Sequence, residues 1–175
     1  MTEAGYAFDV VVADVDESAL PREGRDAVRQ AEFLALAKAQ DVARRYPDRI
    51  VIGADTVVDF DGEIIGKPAD AADAARITRM IFSAPHRVVT GLAILRLDQA
   101  IEIVQSDITI VYPRPMTPEQ IEQHIAGGTW EGKAGAYAIQ ETGDELVDHL
   151  EGSLTNVVGL PMELLERLLA EVARR

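Results

Sequence analysis

The chain predicts one α/β domain, on three observations. β-branched apolar runs recur at residues 6–15, 50–58, 87–97 and 100–112. Spans of helical composition alternate with them, opening at Asp26, Asp70, Thr117 and Pro161. The length, 175 residues, suits a single domain, 1–175, with room for a proper core. Hydrophobic residues make up 47% and charged ones 27%, a balance that argues against disorder. With no cysteines, disulfide scaffolds, thiol nucleophiles and thiolate zinc clusters are excluded. A formal charge of −13, from 17 basic and 30 acidic residues, repels nucleic-acid backbones and anionic lipid. It leaves room for a small polyanion in a locally cationic cleft, with a divalent metal between them. No run is apolar enough to span a membrane and the first residues lack a signal pattern, so a soluble cytoplasmic protein is expected.

Tyr6 to Val15 reads as a strand, with Asp14, Asp16 and Glu17 at its far end. Clustered carboxylates suit a hard cation such as magnesium, which takes oxygen ligands and keeps several waters. A solvated acidic loop gives the same pattern. After a turn at residues 20–24, the Ala-rich span from Asp26 to about Arg45 predicts a helix. A wheel centred on Leu34 gathers Ala27, Val28, Ala31, Ala35 and Val42 on one arc, and Lys38 falls in the middle of it. A lysine there costs free energy unless it snorkels out or meets an anion.

Ile50 to Pro68 is the stretch around which the chemistry gathers. A strand carries Gly53-Ala54-Asp55-Thr56, Asp61-Gly62 turns, and Glu63-Ile64-Ile65 returns toward Gly66-Lys67-Pro68. With a two-residue loop Lys67 lies opposite Thr56; with Phe60 bulged into the loop it lies opposite Asp55. A surface hairpin with an incidental ion pair would look the same locally.

Asp70 is the predicted cap of a second helix reaching about Phe82. His86, in the loop beyond, is a base or ligand candidate, though a loop histidine is more often a hydrogen-bonding support. Residues 87–97 and 100–112 predict a long hairpin whose inward face includes Ile101, Ile103, Ile108, Ile110 and Tyr112, with an irregularity near Gln105-Ser106. Thr117, Pro118 and Gln120 form a capping-box start for a helix ending at Gly127-Gly128. Small residues around Lys133 let backbone approach a ligand closely, and Gln140 offers the donor and acceptor needed to read a base edge. Residues 145–150 predict a last strand, 151–156 a polar loop, and Pro161 the start of a closing amphipathic helix. Lys38, Lys67 and Lys133 are the only lysines, every other cation being arginine. A compact, rotatable ammonium suits phosphate oxygens.

Asp14-Val15-Asp16-Glu17, Ala35-Leu36-Ala37-Lys38-Ala39, Gly53-Ala54-Asp55-Thr56, Gly66-Lys67-Pro68, Thr90-Gly91, Lys133-Ala134-Gly135-Ala136-Tyr137 with Ile139-Gln140, and Asn156-Val157-Val158-Gly159-Leu160-Pro161 occur in that order. Together they resemble the Maf family of nucleotide pyrophosphatases over nearly the whole chain. The resemblance implies an elongated mixed β-sheet with flanking helices, related to the inosine-triphosphatase fold. It also implies hydrolysis of a nucleoside triphosphate to the monophosphate and pyrophosphate, with Mg2+ or Mn2+, and a homodimer. By position Asp55 matches the proton acceptor. Glu17, Lys38 and Lys67 match polar cleft residues, with Glu17 and Asp55 toward the metal. Thr56 and Gln140 match positions tied to base choice, and Lys133 lies in the same substrate-binding set. The Lys-Ala-Gly-Ala-Tyr and Ile-Gln forms look most like the branch acting on dTTP and UTP. The family's opening strand and Ser-x-Ser-Pro-Arg-Arg turn have no counterpart, since Gly5-Tyr6-Ala7-Phe8 already matches the next strand. The expected sheet lacks that strand and helix, and the cleft part of its anion site. Two rival readings follow: a catalytically impaired nucleotide-binding relative, and a purine triphosphatase sharing the fold.

Overall fold

Five strands make one sheet in the computed structural model, which describes residues 1–17, 19–20, 24, 26–137 and 146–174. They are β1 (Val51–Phe60), β2 (Glu63–Ile65), β3 (His86–Arg96), β4 (Ile101–Pro113) and β5 (Val147–Glu151), in the order β2-β1-β3-β4-β5. The α/β class holds. Where the resemblance implies a mixed sheet, the ladders among the described residues are all antiparallel.

Asp61 and Gly62 join β1 to β2 with φ of 51° and 85°, both positive as a primed two-residue turn requires. Phe60 pairs with Glu63, so the two-residue loop is the register adopted. The ladder stops at Val58 with Ile65, and the chain leaves the sheet at Gly66 before Lys67 can pair across. Among the described residues no strand covers the outer edge of β1 ahead of Val58.

The helices begin where their capping chemistry says. In α1 (Ala27–Arg45) Asp26 accepts from the Arg29 amide, and in α2 (Ala71–Ile81) Asp70 accepts from the Asp73 amide. α3 (Pro118–Ala126) carries the full capping box between Thr117 and Gln120. The predicted polar loop at 151–156 holds one helical turn, α4 (Leu154–Val157), and α5 (Met162–Val172) closes the chain.

Side chains of β1 alternate between two faces. Val51, Gly53, Asp55 and Val57 face α1; Ile52, Ala54 and Thr56 face the opposite layer. There α5 buries Leu164, Leu165, Leu168 and Val172 against Leu92, Ile94, Ile101 and Ile103. A third cluster joins α2 to the lower sheet through Ile77, Ile81, Phe82, Val88 and Tyr137. Helix α1 lies very close to the sheet. A Cβ on Gly53 would come 2.5 Å from the Ala35 carbonyl oxygen, and one on Gly91 would overlap the Ala31 carbonyl. Small residues on both sides make that approach possible.

Three further expectations fail. Residues 6–15 form no ladder among the described residues. Arg45 donates to the Val12 carbonyl at 2.9 Å, the Asp14 amide donates to Asp41 at 3.0 Å, and Arg49 meets Asp9 at 3.3 Å. These ties lay the segment along α1, with Val11 and Ala13 tucked against its cluster while Val10 and Val12 stay exposed. Alternation marks a face to bury; it does not supply a backbone partner. On β4 the buried positions are Ile101, Ile103, Thr109 and Val111, so Ile108, Ile110 and Tyr112 do not form the inward face. Register against β3 runs unbroken through Gln105-Ser106. Thr109 is inside because its hydroxyl is fully bonded, which hydropathy cannot register.

Candidate active site

Asp55 sits mid-strand on β1, opposite Gly91 of β3, on the face covered by α1. Because α1 lies so close, Lys38 reaches the strand directly. Its Nζ donates to Asp55 Oδ1 at 2.6 Å and lies 2.8 Å from Glu17 Oε1. The lysine in the apolar arc therefore meets an anion from each side.

Burial decides how these groups titrate. The Asp55 side chain is 11% exposed. Desolvation pushes its carboxyl above the ordinary carboxylate range; the hydrogen bond and charge of Lys38 pull the other way but do not prevail. Burial also works to lower Lys38, yet the bonds from Asp55 and Glu17 outweigh it and hold the amine above its usual value. Lys38 thus stays cationic while Asp55 is a stronger base than an exposed carboxylate.

Lys67 is exposed on the turn leaving β2, and its charge reaches Asp55, opposing the upward shift. Lys133 lies beside that turn. The 3-10 turn Ala134–Ala136 that it opens is tied to it by a Gly135 amide bond to the Gly66 carbonyl at 3.3 Å, while Lys133 Nζ donates to the Thr129 carbonyl at 2.7 Å. Thr56, next to Asp55 in sequence, points to the other face of the sheet and bonds Thr90 at 2.8 Å. Gln140 lies outside the described residues. The structure thus brings Glu17, Lys38 and Asp55 into contact, holds Lys67 within electrostatic reach, and sets Thr56 across the strand.

Glu17 and Asp55 offer hard oxygen donors that converge on one ammonium, the kind of set magnesium accepts when phosphates and waters complete its shell. Among the described residues no group of three or more acidic or histidine side chains forms a self-sufficient metal cage. The residues fit a metal shared with a substrate.

His86 is neither base nor ligand here. It is buried, with Nδ1 on the Ile81 carbonyl at 3.1 Å and Nε2 on the Tyr137 hydroxyl at 3.0 Å. The carbonyl can only accept, so Nδ1 carries the proton and Nε2 accepts from Tyr137. Desolvation lowers its pKa to about 4. A folded pKa below the unfolded value gives stability that is complete above about pH 6.5 and lost as pH falls toward about 4. That loss amounts to about 3 kcal/mol. Urea midpoints measured between pH 7 and pH 4 should fall by that contribution, and His86→Gln should flatten this part of the profile.

Sequence reasoning gave three residues no role of their own. Thr90, Thr109 and Asn156 are fully buried polar groups behind Thr56. Asn156 reads as loop polarity in the sequence, and only the fold shows it donating to Val88 and Thr109. A groove of about 350 Å3 between α2 and α3, lined by Arg79, Phe82, Met116 and Ile121 among others, contains none of the predicted residues.

A family model described as "Maf-like protein" matches residues 1–172. A dTTP/UTP pyrophosphatase of Geotalea uraniireducens (strain Rf4) is 44% identical over 162 residues, covering 93% of this chain and 82% of the relative. One from Geobacter metallireducens is 42% identical over 172 residues, covering 96% and 87%. One from Elusimicrobium minutum (strain Pei191) is 37% identical over 171 residues, covering 98% and 90%.

Proposed function

This chain belongs to the Maf family, and from that membership we propose that it is a nucleoside triphosphate pyrophosphatase acting on dTTP and UTP. The observation that carries the reading is the Glu17–Lys38–Asp55 contact beside the edge of β1 that no described strand covers. A nucleotide laid against that edge presents its phosphates to the α1 face and its base to the Thr56 face.

Water attacks the α-phosphorus, Asp55 accepts its proton, and the bond to the bridging oxygen of pyrophosphate breaks. Lys38 orients Asp55 through the 2.6 Å bond, and the free Asp55 oxygen is the one available to the water. Lys67 offsets charge gathering on the departing pyrophosphate. Mg2+ or Mn2+, held by Glu17 and Asp55, would polarise phosphate oxygens when bound. Gln140 and Lys133 complete the substrate contacts in this reading. The catalytic unit is one domain, placed in the cytoplasm and acting as a homodimer. Among the described residues no helix is long and apolar enough to cross a membrane.

The test is product analysis with dTTP, UTP and ITP in Mg2+ or Mn2+. Pyrophosphate and monophosphate should form from dTTP and UTP, with ITP slower by about 10-fold or more. Preference for ITP would support the purine reading. Tight binding of dTTP without turnover would support the impaired relative.

A further inference from the structure

The polar cluster behind Thr56 can be assigned proton by proton, because backbone carbonyls only accept and a hydroxyl has one proton. Thr109 Oγ1 donates to the Ser153 carbonyl at 2.9 Å, which spends its proton. It therefore accepts from the Ser153 amide at 3.0 Å and from Asn156 Nδ2 at 2.9 Å. The Asn156 amide gives its second proton to the Val88 carbonyl at 3.0 Å, so its orientation is forced. The Asn156 backbone carbonyl accepts from Thr90 Oγ1 at 2.9 Å. Thr90 has now spent its own proton. The 2.8 Å contact between Thr56 and Thr90 can then only be a bond donated by Thr56. Thr90, Thr109 and Asn156 are each 0% exposed, so no solvent proton can relax this order.

Thr56 is half-buried beside the edge of β1 that no described strand covers, and its hydroxyl has nothing left to present there but lone pairs. Gly159 keeps one approach to that oxygen clear: a Cβ on it would stand 3.4 Å from Thr56 Oγ1. We propose that Thr90 is a positioning residue that holds the Thr56 hydroxyl as an obligate acceptor, and that this selects pyrimidines carrying an N3–H donor. The inference rests on the pyrimidine pyrophosphatase reading and adds to it the atom by which the base is chosen. Uracil and thymine have one donor on their pairing edge, the N3–H between two carbonyls. Cytosine puts a lone pair at N3, facing the lone pairs of Thr56 with no proton between them.

The test is kcat/KM for UTP and for CTP in the wild type, Thr90→Val, Thr90→Ser and Thr56→Val. Thr90→Val keeps the shape but releases the Thr56 proton toward the base, so the UTP-to-CTP ratio should fall by about 10-fold or more, mostly through a gain on CTP. Thr90→Ser restores the acceptor and should restore the ratio. A purely structural role for Thr90 would lower both substrates in parallel and leave the ratio where it was, which overturns the proposal. Should Thr90→Val fail to fold, half-exposed Thr56→Val decides: the ratio should fall through loss on UTP, and an unchanged ratio overturns it. A wild type that hydrolyses neither dTTP nor UTP refutes the enzyme reading and this inference together. An active wild type with an insensitive ratio refutes this inference alone.

Discussion

Asp55→Asn will reduce pyrophosphate release from dTTP by about 10^3-fold while the protein stays folded, since a general base contributes roughly 10^2–10^4 to a rate. The asparagine keeps the shape and a contact for Lys38 but cannot take a proton from water. Folding should tolerate the change. The raised pKa of Asp55 means that the fold disfavours its ionised form, so a neutral isostere removes a desolvation cost even as Lys38 exchanges one of its two carboxylate partners for an amide. The same shift fixes the sign of the pH dependence. The base must be ionised, so kcat/KM should rise with pH through a value above that of an ordinary exposed carboxylate, and this acid limb should vanish in the variant. Turnover unchanged in Asp55→Asn would remove Asp55 from the mechanism.

Gly91→Ala should be the most damaging small substitution in the sheet. The new methyl has no room, since it would meet the Ala31 carbonyl and, at 2.5 Å, the Glu32 amide nitrogen. Backbone cannot rotate aside as a side chain does, so α1 must lift. Overpacking of this kind costs about 3 kcal/mol, or roughly 6–12 °C in Tm for a chain of this size. Lifting α1 also draws Lys38 away from Asp55, so activity should fall in the protein that remains folded. Gly66→Ala, with nothing within 4 Å of the added carbon, is the stability control and should move Tm by no more than a degree or two. Equal losses of Tm in the two variants would mean that α1 does not rest on Gly91.

Local chemistry made much of this legible before any coordinates. Asp70 and Thr117 cap helices as read, the Ala-rich span from Asp26 is helical, and Asp61-Gly62 makes the turn its dipeptide calls for. Lys38 stood out because a cation in an apolar arc requires an explanation, and Asp55 provides it. What stayed hidden depends on partners distant in sequence. Residues 6–15 have strand composition but are laid on α1 by Arg45, Asp41 and Arg49. Thr109 is inside although it is polar, because Asn156, 47 positions away, satisfies it. Thr56 and Asp55 form a single motif in the sequence, and alternation along the strand places them on opposite faces.

That separation has an evolutionary consequence. In the proposed mechanism, bond cleavage and base choice fall to adjacent residues that share a peptide unit but no surroundings: one looks toward Lys38, the other toward Thr90. Mutations that retune Thr90, Asn156 or Gly159 can drift toward a new nucleobase without disturbing the machinery that splits the anhydride. A lineage with this arrangement can change its diet while keeping its teeth.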